Sequence, residues 1–169
     1  HYNIEYWEIW NEPDLDPDDS THKRCWGGTA KEFYELYCIA HKHLKSCFPH
    51  LKIGGPAVAS VKPGREWFPD FLAYMQAHDV PIDFLSWHVY LTEPQKAVER
   101  AEWVRSQLDA HGYTETESIL NEWNPGIHRR GTLADAACIG AVMAAMQNSS
   151  VDMLMYYDAR PGTFNGIFD

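Results

Sequence analysis

The sequence contains few of the patterns that hold metals, phosphates or disulfide frameworks. Its four cysteines include no CxxC pair and are too sparse for a disulfide scaffold, so we predict free thiols. It has no GxGxxG phosphate loop and no GxSxG nucleophile elbow. The acidic run at 14–19 places Asp19 and Cys25 where a calcium loop requires glycine and glutamate, so a solvated loop is the prediction there. We expect no cofactor and no metal.

Basic residues are also scarce, with 14 lysines and arginines against 24 acidic residues and a formal net charge of −10. A chain this acidic repels phosphate backbones and anionic lipid heads, which disfavours nucleic-acid and membrane partners and favours a neutral substrate. No window approaches the run of about 18 apolar residues that a membrane helix needs. The chain begins HYNIEYW, without an initiator methionine or a signal-like segment, so we expect it to be cut from a longer one. Neither the compartment nor the oligomeric state follows from the sequence.

Aromatic side chains are abundant, with seven tryptophans and nine tyrosines. Flat amphipathic rings cover the apolar face of sugars in binding clefts, and they also fill large cores. Composition does not separate these two uses, so both stay open.

Apolar periodicity predicts strands that alternate with helices. The first helix is expected to begin after Thr29, because Glu32 completes a capping box, and to end before Pro49. The other elements follow from alternating apolar residues or from apolar residues at helical spacing. In chain order we predict strands at 4–10, 51–55, 82–90, 118–122 and 151–157, and further helices at 67–75, 97–108 and 132–147.

Five strands with four intervening helices form either an open doubly wound sheet or the later part of an eight-stranded TIM (β/α)8 barrel of about 250 residues. Polar residues follow several strands at their carboxyl ends, the edge where a barrel builds its active site. The absence of a glycine-rich phosphate loop disfavours the first alternative. We therefore predict an α/β fold in which residues 1–169 are the C-terminal portion of a catalytic barrel domain that lacks its first three strands.

Two glutamates at predicted strand ends are the candidate catalytic groups, Glu12 in IWNEP and Glu122 in LNEWN. Cleavage of a glycosidic bond with retention needs one protonated and one ionised carboxyl group, about 5 Å apart on opposite sides of the anomeric carbon. Trp10 and Pro13 would keep Glu12 partly dry, as suits an acid, which leaves Glu122 as the ionised partner. A single strand-end glutamate more often caps a helix or pairs with arginine, but two of them at one edge favour catalysis.

Other polar residues near this edge have supporting roles in the prediction. Asn11 is placed to hydrogen-bond a sugar hydroxyl, and His88 or Tyr90 to donate to Glu122 and hold its charge. Glu8 shares the parity of Glu12, so we expect it to point into the barrel and to need a partner such as arginine.

Four strings of the sequence resemble glycoside hydrolase family 39, which includes β-xylosidases and α-L-iduronidases within a retaining clan of barrel glycosidases. They are EIWNEPDL at 8–15, EFYELY at 32–37, KIGGPA at 52–57 and DFLSWHVY at 83–90. The resemblance covers the chain from the fourth to the eighth strand of the family's barrel. It implies that Glu12 is the acid/base, that Glu122 is the nucleophile and that Asn11 binds substrate, with His88 and Tyr90 lining the subsite.

The sequence departs from the family's pattern at two places. The run MYYDARPG replaces a tryptophan expected at the end of the eighth strand, and Asn121 precedes the nucleophile where relatives often carry threonine or serine. The predicted function is a retaining, β-xylosidase-like exo-glycosidase acting on an oligosaccharide or glycoside. The alternatives are a non-catalytic carbohydrate-binding relative and a barrel fragment that is inactive by itself. The candidate substrate-binding residues are Asn11, His88, Tyr90, Trp123, Tyr157 and Asp158.

Overall fold

The computed structural model describes residues 3–126, 129 and 131–158. Strands and helices alternate along this part of the chain, in the predicted order. They are β1 (Tyr6–Glu8), α1 (Ala30–Cys47), β2 (Lys52–Gly54), α2 (Trp67–Ala77), β3 (Phe84–Tyr90), α3 (Pro94–Ala110), β4 (Glu117–Asn124), α4 (Leu133–Met146) and β5 (Met153–Tyr156).

The start of α1 confirms the predicted capping box. The Thr29 side chain accepts a hydrogen bond from the backbone N–H of Glu32, and the Glu32 carboxylate accepts one from the backbone N–H of Thr29 at 2.7 Å. These two contacts satisfy two of the backbone donors that a helix start leaves free. The helix then continues to Cys47, as the apolar spacing and Pro49 predict.

The five strands pair in parallel in chain order, from β1 to β5. An open doubly wound sheet reverses its strand order at one point, whereas this one does not. Because crossovers between parallel strands are right-handed, an order without reversal places all four helices on the same side of the sheet. The described residues therefore form a half-barrel of five parallel strands with four helices, which confirms the predicted partial TIM barrel.

One hydrophobic core lies between the helices and the sheet. Each large apolar side chain buried there contributes about 1.5–3 kcal/mol of transfer free energy. The opposite face of the sheet lines an open cavity of about 240 Å³ that includes Tyr6, Phe84 and Met153. The largest buried core side chains are Trp87, Trp123, Tyr37, Phe33, Phe68 and Phe71. No helix among the described residues is long and apolar enough to cross a membrane.

Strand β4 contains one extra residue relative to both of its neighbours. Against β3, Trp87 pairs with Leu120 but His88 pairs with Glu122, so Asn121 has no partner in the register. The pairing with β5 shifts between Leu120 and Trp123 as well. Such a bulge interrupts the alternation of side chains along a strand. It brings Glu122 to the face that carries His88 and leaves Trp123 on the helix-covered face.

The acidic run after β1 is held by hydrogen bonds, so the prediction of a solvated loop is wrong for Asp14 and Asp16. Asp14 accepts from the backbone N–H groups of Ala59 and Ser60 at 2.7 and 2.9 Å. Asp16 accepts from the backbone and the guanidinium of Arg24. Burial raises the pKa of Asp14, whereas the contact with Arg24 lowers the pKa of Asp16. The contacts of Asp14 fix the loop after β1 against the loop after β2, and those of Asp16 join two parts of the loop after β1.

Candidate active site

Glu12 lies just beyond β1 in a backbone conformation that few non-glycine residues adopt. Its φ is 50°, and that of Trp10, two residues earlier, is 73°. Left-handed backbone of this kind costs on the order of 1–3 kcal/mol per residue and clusters at functional sites. The backbone N–H of Glu12 donates to the carbonyl of Ala57 at 3.0 Å, and the N–H of Ala57 donates to Oγ of Ser86 at 2.8 Å. Glu12 is thus tied through the β2–α2 loop to β3.

Glu122 lies within β4, beside the bulge, and is held by Tyr90. The Tyr90 hydroxyl donates a hydrogen bond to Oε1 of Glu122. Desolvation of the hydroxyl, reinforced by its contact with Glu122, raises the pKa of Tyr90 well above its usual range. The hydroxyl therefore keeps its proton and remains a donor. This is the contact to Glu122 that the sequence led us to expect from His88 or Tyr90.

His88 lies between the two carboxylates and is only 2% exposed. Its Nδ1 is 2.8 Å from Oε1 of Glu12 and 3.8 Å from Oε2 of Glu122. The hydrogen-bond partner of His88 is therefore Glu12. One ligand atom from each of Glu12, His88 and Glu122 lies within 4.8 Å of the others, and the two carboxylate side chains are 16% and 20% exposed.

The other predicted site residues divide between the two faces of the sheet. Asn11 is exposed beside Glu12. Tyr157 follows β5, where its carbonyl accepts from the side chain of Asn124 at 2.9 Å, and it is close enough to Tyr90 to contribute to the raised pKa of that hydroxyl. Asp158, the next residue, is half-buried. These three residues lie at the same edge of the sheet as Glu12 and Glu122.

Trp123 is not brought together with them. It is 2% exposed, and its indole packs perpendicular to the ring of Tyr156 with centroids 5.2 Å apart. The indole belongs to the core between the sheet and the helices. The bulge in β4 explains this placement, because it puts Asn121 and Glu122 on the same face and so leaves Trp123 on the helix-covered face.

Two residues near Glu12 were not identified as contacts from the sequence. Sγ of Cys25 lies 3.9 Å from Oε2 of Glu12, and the carbonyl of Cys25 accepts from Nε1 of Trp10 at 2.9 Å. Burial, followed by the charge of Glu12, raises the pKa of the Cys25 thiol, which stays neutral. No sequence signal marks Cys25, since it is 13 residues away within an irregular loop. Trp10 was considered only as a shield for Glu12.

The arrangement has two chemical uses. Two carboxylates and one imidazole at this spacing are a donor set that holds divalent cations such as manganese or zinc. The same two carboxylates can place a proton donor and a nucleophile on either side of an anomeric carbon. Both uses require Glu12 and Glu122.

Comparison with known proteins relates the chain to glycosidases. The sequence profile described as Glycosyl hydrolases family 39 matches residues 3–157. A β-xylosidase of Geobacillus stearothermophilus is 27% identical over 184 aligned positions, which cover 96% of this chain and 34% of that protein.

Solved structures give the same result at the level of fold. A glucosidase from Croceicoccus marinus superimposes with a TM-score of 0.84 and 32% identity over 98% of this chain and 37% of that one. A monomeric β-xylosidase from Caulobacter crescentus shares the fold, with a TM-score of 0.75 and 22% identity over 95% of this chain and 37% of the other. The chain spans about a third of the length of these relatives. Because the profile covers nearly all of it, the chain belongs to glycosyl hydrolases family 39.

Proposed function

We propose that the chain carries both catalytic carboxylates of a retaining glycoside hydrolase, with Glu12 as the acid/base and Glu122 as the nucleophile. The observation that supports this best is the approach of the two side chains across His88, with ligand atoms within 4.8 Å of one another. Retaining enzymes hold their carboxyl groups about 5–5.5 Å apart, whereas inverting enzymes need about 6.5–9.5 Å to admit a water molecule.

The proposed reaction has two displacements. A carboxylate oxygen of Glu122 forms a bond to the anomeric carbon while the glycosidic C–O bond breaks, and the departing oxygen takes the proton of Glu12. A water molecule then gives its proton to Glu12, and its oxygen displaces Glu122 from the anomeric carbon.

Three neighbours assist the two glutamates. Tyr90 donates to Glu122 and stabilises its negative charge before attack and after release. His88 contacts Oε1 of Glu12 and orients that carboxyl group in both of its protonation states. Asn11, exposed beside Glu12, is available for the sugar 2-hydroxyl, whose hydrogen bond strengthens in the transition state.

The proposed substrate is a β-xyloside cleaved from the chain end. Two relatives named β-xylosidase support the sugar, those of Geobacillus stearothermophilus and Caldicellulosiruptor saccharolyticus. Tyr157 and Asp158 follow β5 at the same edge and are proposed to complete the pocket around this sugar.

We also propose that the half-barrel is inactive by itself and that upstream βα units complete it in the full-length protein. The barrel-interior face includes Met155, which is 46% exposed, and edge strand β1 carries Trp7, which is 48% exposed. Unpaired strand edges and exposed apolar side chains favour aggregation. Expression of residues 1–169 alone should therefore give an aggregating or silent product, and a soluble, active monomer would contradict this proposal.

The experiment that tests the catalytic assignment is covalent labelling of the full-length protein. The reagent is a 2-deoxy-2-fluoroxyloside with a dinitrophenyl leaving group. Its fluorine slows both displacements, and its reactive leaving group restores the rate of the first. The fluoroxylosyl group should therefore accumulate on Glu122 and be found there by peptide mass mapping. Glu93→Gln is a matched control, because Glu93 is 62% exposed and pairs only with Lys96 among the described residues. The Glu93→Gln variant should accumulate the label on Glu122 as the wild type does.

Three results would reject this proposal. Label on another residue would reject the assignment of the nucleophile. Sugar binding without label or hydrolysis, unaffected by Glu12→Gln, would instead indicate a carbohydrate-binding relative. Complete loss of hydrolysis in a chelator, restored by a divalent cation, would indicate that Glu12, His88 and Glu122 hold a metal.

A further inference from the structure

The indole of Trp10 is exposed and rigid at the end of β1. It is 46% exposed, although its Nε1–H donates to the carbonyl of Cys25 at 2.9 Å. Its ring packs edge-on against that of Trp26, with centroids 5.4 Å apart and ring planes at 87°. Trp26 in turn packs edge-on against the buried ring of Phe33 at 5.5 Å and donates its own Nε1–H to the carbonyl of Thr29 at 2.8 Å. The exposed indole is thus anchored through a second indole to helix α1.

The backbone of Trp10 indicates that this placement is costly. Its φ of 73° lies in the left-handed region, where a bulky side chain is an outlier. Such conformations persist only where the surrounding contacts determine them, and they concentrate at ligand sites. A buried indole would explain the cost through packing, but Trp10 is 46% exposed.

Cys25 connects the indole to the proposed acid/base. Its carbonyl holds the ring of Trp10, and its Sγ is 3.9 Å from Oε2 of Glu12. The other oxygen of Glu12, Oε1, faces His88 and, beyond it, Glu122. Trp10 and Cys25 therefore lie on the side of Glu12 that is away from the nucleophile.

This side of Glu12 is the leaving-group side if the proposed function holds. The acid/base protonates the oxygen that joins the cleaved sugar to the leaving group, while the cleaved sugar itself lies over the nucleophile. We propose that Trp10 is a specificity-determining residue that binds the leaving group through its ring. The ligand class is a flat ring with an apolar face, a pyranose or an aryl group, attached through the glycosidic oxygen.

Two substrates with the same sugar separate this role from a structural one. β-1,4-Xylobiose carries a pyranose leaving group, whereas methyl β-xyloside carries no ring there, and its methanol leaving group needs protonation by Glu12 as the leaving group of xylobiose does. In the full-length protein, Trp10→Ala should lower the ratio of kcat/KM for xylobiose to kcat/KM for methyl β-xyloside by about tenfold, the size of one aromatic stacking contact. Trp10→Phe should recover most of that ratio.

Trp7 supplies the matched control. It is 48% exposed and lies on β1, shortly before Trp10, but with the opposite parity to Glu8, so it does not face the cleft. Trp7→Ala should leave the ratio unchanged even where it lowers the amount of folded protein.

Every outcome bears on the proposal. A ratio that Trp10→Ala leaves at the wild-type value overturns it, whether both activities fall together or neither falls. Failure of the proposed function is distinguishable, because a wild-type protein that hydrolyses neither substrate and is not labelled on Glu122 would overturn both proposals at once.

Discussion

The two faces of the sheet are built from different kinds of contact. On the helix-covered face, aromatic and aliphatic side chains pack at full burial. Some polar atoms among them are paired, such as Nε1 of Trp87 with Oγ of Ser118 at 3.1 Å, and others are not. Within the described part of the chain, the Tyr37 hydroxyl, both ring nitrogens of His41 and the Trp123 Nε1 have no hydrogen-bond partner. This face gains its stability from packing, so it tolerates a few unpaired groups at a cost of about 1–3 kcal/mol each.

The barrel-interior face instead carries paired polar groups at three levels. Near the amino ends of the strands, Lys52 contacts both Glu117 and the Tyr6 hydroxyl. In the middle, the side-chain nitrogen of Asn121 donates to Glu8 at 2.9 Å, although its Oδ1 has no partner among the described residues. At the carboxyl ends, the glutamate pairs with His88 and Tyr90 form the site. The difference implies that activity and stability are separable, and each prediction below alters one face.

The largest effect is expected from Glu122→Ala. Loss of the nucleophile removes the first displacement, so kcat should fall on the order of 10⁴-fold or more in the full-length protein. The melting temperature should change little, because the side chain is at the cleft and not in the core. Activity assays on an aryl xyloside measure kcat, and thermal unfolding measures the melting temperature.

Azide gives this variant an independent readout. It can enter the space left by the carboxylate and attack the same face of the anomeric carbon, which yields a glycosyl azide of inverted configuration. Proton NMR of the product shows the configuration directly. A retained azide product from this variant would mean that Glu122 is not the nucleophile.

Glu12→Ala is expected to have a smaller and substrate-dependent effect. General acid catalysis contributes about 10²–10⁴-fold, so hydrolysis of xylobiose should fall by that range. A dinitrophenyl xyloside, whose leaving group needs no proton, should still form the glycosyl-enzyme. Azide should now give the retained product, since it replaces the water of the second step. Equal losses on both substrates would contradict the role of acid.

Phe71→Ala tests the helix-covered face. Phe71 is fully buried and lies edge-on to Tyr37, with centroids 5.0 Å apart, and stacks on Trp67 at 5.7 Å. Removing such a ring from a core costs about 3–5 kcal/mol of unfolding free energy. The folded fraction should keep its kcat at low temperature. A large loss of kcat with little loss of stability would break the proposed separation of the faces.

Much of the difference between the helix-covered face and the barrel-interior face was predictable from the sequence. Apolar periodicity and the capping box at Thr29 predicted the alternation of elements, and the strand ends predicted which polar residues meet. The parity of Glu8 correctly placed it on the barrel-interior face, although its partner is Asn121 and not arginine. Local patterns suffice for such predictions because each depends on a single element and its ends.

The placement of Trp123 and Cys25 depends on more than one element. A bulge arises from the pairing of β4 with β3 and β5 together, so the run LNEWN does not show which of its side chains turns inward. Cys25 approaches Glu12 because Asp14 and Asp16 fix an irregular loop by long-range hydrogen bonds. Neither effect leaves a periodic signal in the sequence.

The smallest predicted effect concerns His41, which lies on the helix-covered face. Its ring nitrogens have no hydrogen-bond partner among the described residues. It is 1% exposed, and burial lowers its pKa below 6.5, with Lys45 and Lys42 acting in the same direction and Asp83 against them. As pH falls through 6.5, His41 binds a proton in the unfolded chain but stays neutral in the folded chain. Stability is therefore lost toward acid, from about pH 6.5 down to the lowered pKa, by up to about 1.4 kcal/mol per pH unit.

His41→Leu removes this titrating group and the unpaired ring nitrogens together. The unfolding free energy of the full-length variant, measured by denaturant titration, should equal or exceed that of the wild type at pH 7, and the difference should grow as pH falls from 6.5 to 5. The matched control is His43→Leu on the same helix, whose ring is exposed to solvent in the folded chain. Its difference from the wild type should stay constant over this range, because the gain requires a ring that folding removes from water. If both variants show the same pH dependence, burial of His41 does not explain it.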